Sequence, residues 1–197
     1  MLTKAERTRQ FIIEKTAPVF NEKGYSGTSM SDLMHATGLT KGSIYGNFEN
    51  KDEVALAAFD HNFGLVVDYI RSRMTGKENA IDRLMVYPET YRNFLKVPFL
   101  KSGCPVLNTS TEADDTHPRL RRKAADALKF WKNSLIKTLQ EGIDNRTILT
   151  DTNVSECAAV IMSLIEGAIM QAKVTGKTTE LNATMNFLEK LILNLKA

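Results

Sequence analysis

The chain has 197 residues, 43% hydrophobic and 25% charged, with two widely separated cysteines and a formal charge of only +3. These values suit a globular protein with a core to bury, in one large domain or a small one joined to a larger one, and they exclude a disulfide scaffold. Bulk charge makes no case for a nucleic-acid partner, which must be argued from local placement. No run of about 18 consecutive apolar residues occurs and the first residues lack a signal-peptide core, so the chain is expected in the cytoplasm and off the membrane.

Thr3 and Glu6 have capping-box spacing and open a first helix, with Phe11, Ile13, Ala17 and Phe20 along its buried stripe. That helix is expected to end at Lys23 and Gly24, with a kink near Glu14 to Pro18, because an interior proline removes one backbone bond. Tyr25 packs just beyond. Through Lys51 the chain carries seven cations against five acids, with Lys4, Arg7 and Arg9 at its head. A basic head of this kind is more often a solvated end than a binding surface.

The segment from Ser29 to Lys51 carries the most information. Ser29 and Asp32 form a second capping box, Met30, Leu33 and Met34 share one face, and Gly38 suits the left-handed residue that ends a helix. Thr40 is placed to cap another helix from Lys41 to about Phe48, with Ile44 and Phe48 facing inward. Lys41, Gly42, Ser43, Tyr45, Gly46 and Asn47 are left outside. A glycine inside a helix costs about 1 kcal/mol, and close approach of backbone to a DNA groove supplies a reason for it. The pattern is a helix-turn-helix.

The run GTSMSDLMHATGLTKGSIYGNFENKDEV resembles the DNA-binding signature of TetR-type transcriptional repressors. It departs from the family pattern at Met34 and Thr37, where alanines are usual, at Asn47, where histidine is common, and at Asp52 in place of glutamate. The resemblance covers about fifty residues and implies a DNA-binding domain over residues 1–50, followed by a helical ligand-binding and dimerisation domain over 51–197.

Asn50 and Glu53 open a long helix from about Lys51 to Met74, and another runs from about Glu78 to Lys96 with Pro88 as an expected kink. Residues Pro98 to Pro118 are the least regular, with a short helix after Pro105. A patterned helix follows from Pro118 to about Gly142. Of the last two, one spans about Val154 to Val174 and is apolar nearly all round; the other, about Glu180 to Leu195, repeats Leu181, Met185, Leu188, Ile192 and Leu195 as a packing seam. Strand patterns and repeats are absent, so the fold is all-α.

The function expected is a homodimeric repressor, paired through the last two helices, that binds a palindromic duplex operator and is released by a small molecule. Thr28, Ser29, Tyr45, Asn47 and Lys51 are candidates for phosphates, and Lys41, Gly42 and Ser43 for bases, with Thr40 at the head of that helix. Aromatic candidates for the ligand site are Phe63, Tyr87, Tyr91, Phe94, Phe99 and Trp131. Cys104, between Gly103 and Pro105, is a further ligand-site candidate and the basis of an alternative, a thiol sensor. A constitutive repressor is the other alternative. Cys104, Asp115 and His117 are types found in thiol hydrolases, and Glu112, Asp114, Asp115 and His117 in metal sites, but nothing in the sequence places them together. No enzyme, metal or cofactor is therefore expected.

Overall fold

The structure, a computed structural model, describes residues 3–197. Among these residues it is all-helical: α1 (Lys4–Gly27), α2 (Met30–Thr37), α3 (Lys41–Tyr45), α4 (Lys51–Met74), α5 (Ala80–Arg92), a 3-10 turn (Phe94–Lys96), α6 (Pro105–Ala113), α7 (Pro118–Asp144), α8 (Val154–Thr175) and α9 (Thr179–Leu193). The only β-type pairing among them is an isolated bridge between Ile148 and Lys196.

The chain divides into two compact units, residues 1–66 with 104–126 and residues 67–103 with 127–197. The division falls inside α4 and α7. It follows packing, whereas the boundary expected after residue 50 concerns division of labour.

In the first unit, α1 packs on α2 and α6, and α2 on α3. Ile12, Leu33, Ile44 and Val54 are fully buried at its centre, with Phe48 beside them. Both capping boxes form: Thr3 Oγ1 accepts from Glu6 N while Glu6 accepts from Thr3 N, and Ser29 and Asp32 repeat the exchange. Around Pro18, where a kink or local widening is expected, the dihedrals stay helical. The one residue in α1 with non-helical dihedrals is Gly24, at φ 73° and ψ 178°. Glu14 and Pro18 are both exposed, so water can take the carbonyl that the proline leaves without a donor.

The Gly24 break has its cause far along the chain. The Glu112 carboxylate on α6 accepts from Tyr25 N and Ser26 N, each at 2.7 Å, and a Cβ on Gly24 would collide with Glu112 Oε2. Asn108, one turn earlier, donates to Asn21 O at 3.0 Å. Asn62 on α4 donates to Ala17 O at 2.8 Å.

In the second unit, α5 packs on α8 and α9, and α8 on α9. α5 keeps helical dihedrals through Pro88 and stops at Arg92; Phe94–Lys96 continues only as a 3-10 turn, so the single helix expected to Lys96 is two pieces. Leu181, Met185, Leu188 and Ile192 are completely buried, so the seam expected on the last helix is used within the chain. α8 has a mean hydropathy of 1.5 over its most apolar window and is long enough to cross a membrane, yet it holds Ile161, Ile165 and Ile169 fully buried in the helical core.

Candidate nucleic-acid interface

α2 and α3 are set by local chemistry. Gly38 closes α2 in the left-handed conformation at φ 68°, its amide donating to Met34 O at 2.8 Å. Thr37 Oγ1 accepts from Leu39 N at 3.2 Å and steadies the turn. Thr40 then caps α3 by accepting from Ser43 N at 3.2 Å.

α3 is shorter than expected, ending at Tyr45 instead of Phe48. Asn47 N turns to Ile44 O at 3.0 Å, a tightened final turn, and Asn47 Nδ2 closes on Ser43 O at 2.9 Å. Arg9 reaches across from α1 to this exit: Nη1 donates to Asn47 O at 2.5 Å, Nη2 pairs with Glu53 at 2.6 Å, and the guanidinium lies 4.0 Å from the centre of the Phe48 ring. Glu53, engaged by Glu49 N and then by Arg9, is held below its ordinary pKa. The sequence offered Arg9 only as part of a basic head; no spacing rule links it to a carbonyl 38 residues on.

The expected DNA-facing residues divide into three groups. Lys41 and Gly42 are exposed on the outside of α3, and a Cβ built on Gly42 meets nothing within 4 Å. Packing inside the chain therefore gives no reason for a glycine there. Thr40 and Ser29 are exposed but already serve as caps, while Ser43, Tyr45 and Asn47 are half-buried. The Lys41 ammonium lies 5.8 Å from the Tyr45 ring centre. Thr28 is the correction: it is fully buried and its hydroxyl donates to Gly24 O at 2.6 Å, so a phosphate cannot reach it.

Lys51 begins α4 with its ammonium 4.3 Å from the Tyr25 ring centre. The Tyr25 hydroxyl donates to Asp52 Oδ1, and this bond, with burial second, pushes the phenol up to about 12. His117 packs edge-on against the same ring at 4.5 Å, with Nε2 3.6 Å from Asp52 Oδ2 and Nδ1 accepting from Leu120 N.

The ligand-site candidates do not form one cluster. Tyr87, Tyr91 and Trp131 come together in the second unit, with ring centres 6.3 Å apart for Tyr87–Trp131 and 6.0 Å for Tyr91–Trp131. Burial pushes the Tyr87 phenol up to about 12. Phe94 is a buried core residue, and Phe99 meets Tyr69 edge-on at 5.5 Å. Phe63 and Cys104 belong to the first unit, where Phe63 stacks on Phe59 at 6.2 Å and Cys104 is 2% exposed at the head of α6. A cavity of about 20 Å³ there, lined by Asn21, Asn62, Asn108 and Glu112 among others, has room for about one water.

The acidic segment is also dispersed. Glu112 serves the Tyr25 and Ser26 amides, Asp114 accepts from Asp115 N, and His117 turns to Asp52. No group of three metal-binding side chains gathers among the described residues.

Residues 12–58 match the family described as bacterial regulatory proteins, tetR family, and residues 80–188 match the tetracyclin repressor-like C-terminal domain. The chain belongs to the TetR family. A TetR-family regulator from Cytophaga hutchinsonii is 45% identical, with a TM-score of 0.95 over 100% of this chain and 98% of that one. The transcriptional repressor DhaR of Mycobacterium sp. (strain GP1) is 26% identical over 84% of this chain and 82% of its own length. The fold is shared, at 22% identity and a TM-score of 0.75 over 95% of this chain and 99% of that one, with the Bacillus subtilis regulator FadR, whose structure is in complex with stearoyl-CoA. As a TetR-family member the chain is a DNA-binding transcriptional regulator and not an enzyme.

Proposed function

We propose that this TetR-family protein is a homodimeric repressor, acting in the cytoplasm, that binds a palindromic operator through α3 and leaves it when a small apolar or amphipathic molecule binds. The observation that carries the reading is the outer face of α3: an exposed Lys41 beside a Gly42 that no neighbour in the chain requires. Glycine there lets the helix backbone approach base edges. Lys41, Gly42 and Ser43 read bases, while Thr40, Tyr45, Asn47 and Lys51 hold phosphates; Ser29, whose hydroxyl donates to Asp32 Oδ2 at 2.7 Å, is left as a cap. The functional division is residues 1–50 for DNA and 51–197 for ligand and partner.

Pairing is supported by the outward side of α8 and α9. Val160, Met170 and Val174 follow one stripe of α8, and Val174 is 83% exposed; Phe187 on α9 is 57% exposed. A two-fold dimer of this kind calls for a palindromic operator whose half-sites lie in successive major grooves, about 34 Å apart. The Tyr87–Tyr91–Trp131 cluster is the favoured ligand contact, and the acyl ligand of the FadR structure supports the apolar class. A hundredfold preference of the ligand for the DNA-incompetent shape supplies about 2.7 kcal/mol. Burial of Cys104 argues against a thiol sensor.

The test is selection of duplexes from a random pool by the purified protein, with Tyr45→Ala in parallel. A two-half-site palindrome recovered by the parent and not by the variant is the expected result. Weak binding without sequence preference, equal for both proteins, would overturn the reading.

A further inference from the structure

The first turns of α1 and the turn before α3 enclose an open groove of about 340 Å³, lined by Lys4, Arg7, Thr8, Phe11 and Leu39. We propose that this groove holds a strand of the DNA backbone beside the half-site read by α3, with Lys4 and Arg7 bound to its phosphates. The proposal rests on the DNA-binding reading above and adds a second anchoring surface to it.

The cations at the head of the chain are not equivalent. Arg9 is spent on Asn47 and Glu53, and Lys23 pairs with Asp32 at 2.6 Å. Lys4 and Arg7 are exposed and make no ion pair among the described residues, so their charge is available to an outside anion. The end of α1 itself is not the anion site, because Glu6 already occupies it by accepting from Thr3 N at 2.7 Å. Nor is Thr8 a donor to phosphate, since its hydroxyl donates to Lys4 O at 3.0 Å. The attraction comes from the two long cationic side chains.

Two further features favour a nucleic-acid strand over a free anion. Phe11, 38% exposed, and Leu39 give the groove an apolar wall, which suits the carbon face of a sugar between two phosphates. Leu39 is also two residues before Lys41, within about 8 Å along the chain, so a strand in the groove lies next to the bases under α3.

The experiment measures binding of a labelled mixed-sequence duplex of about three helical turns across a salt series, for the full chain and for Lys4→Ala/Arg7→Ala. The slope of log affinity against log salt is expected to become shallower by about 0.9 for each phosphate that the variant no longer neutralises, close to two per bound protomer, with about tenfold weaker binding at low salt. Lys4→Arg/Arg7→Lys restores the slope. Thermal melting of the exposed double variant stays near that of the parent, which separates this effect from unfolding. If the parent binds with a steep salt dependence and the double alanine variant keeps the same slope, the groove is not a DNA site and the α3 reading stands. If the parent shows no salt-dependent binding, both fall.

Discussion

The pair α2–α3 and the pair α8–α9 are built on opposite plans. α2 and α3 are short, held by Ser29, Thr40 and Gly38 at their ends and by few buried side chains, and the surface they leave outside is polar apart from Met34, with open backbone at Gly42. α8 and α9 bury an apolar seam between them and still present Val160, Met170, Val174 and Phe187 outward. Capping positions a helix without using its outer face, so that face is free to meet a polar, charged partner such as a duplex. Apolar surplus after the core is filled calls instead for another apolar surface, which the second copy proposed above would supply.

The largest effect should come from the α8–α9 side. Val174→Arg/Phe187→Arg is expected to leave the monomer folded, because both side chains are outside the core, yet to abolish dimers in light scattering. Without the second half-site, operator binding then weakens by about 10²–10⁴-fold. A dimer that persists would move the interface elsewhere.

On the α3 side, Gly42→Ala puts the two roles of that residue in opposition. The helix gains about 0.5–1 kcal/mol, read as a small rise in melting temperature, while operator affinity drops at least tenfold, about 1.4 kcal/mol or more, measured by anisotropy. Unchanged affinity would show that the backbone at Gly42 does not approach DNA.

Gly24→Ala tests the brace between α1 and α6. It combines a positive φ with a clash against Glu112, and a loss of about 1–3 kcal/mol in urea unfolding is expected. Glu112→Ala relieves the clash, so the double variant should lose less than the two single losses added together. Strict additivity would mean the carboxylate is not what confines the glycine.

The smallest effect is on acid stability. Lys23 first, then Ser29, hold the Asp32 carboxyl well below its ordinary range. Its contribution is therefore fully present above the unfolded-state pKa and is lost as pH falls through about 4 and below. Asp32→Asn should flatten that part of the acid-unfolding curve followed by circular dichroism and leave the curve near neutrality unchanged in slope.

Much of the fold is legible in the sequence because its determinants are local. Ser29–Asp32, Gly38 and Thr40 lie within a few residues of the ends they specify, and the fold keeps each in its expected role. The interactions that sequence does not announce join distant positions. Nothing near Arg9 points to Asn47, and nothing in the polar run around Glu112 distinguishes a solvated acid from one that receives two backbone amides. Thr28 misleads for the same reason: a hydroxyl beside a cap looks available until the Gly24 carbonyl is seen to take it. The seam on α9 is visible as a seam, but periodicity does not say whether its partner is in the same chain.

The Glu112 brace also places a constraint on synthesis. A nascent chain has made α1, α2 and α3 once Phe48 leaves the ribosome, but the carboxylate that holds the Tyr25 and Ser26 amides follows roughly sixty residues later, on the order of 3–12 seconds at about 5–20 residues per second. In that interval the bend after α1 has only its own turn bonds to hold it. Assembly of the DNA-binding head is thus not finished when its own three helices have emerged; it waits for α6, a little past the middle of the chain.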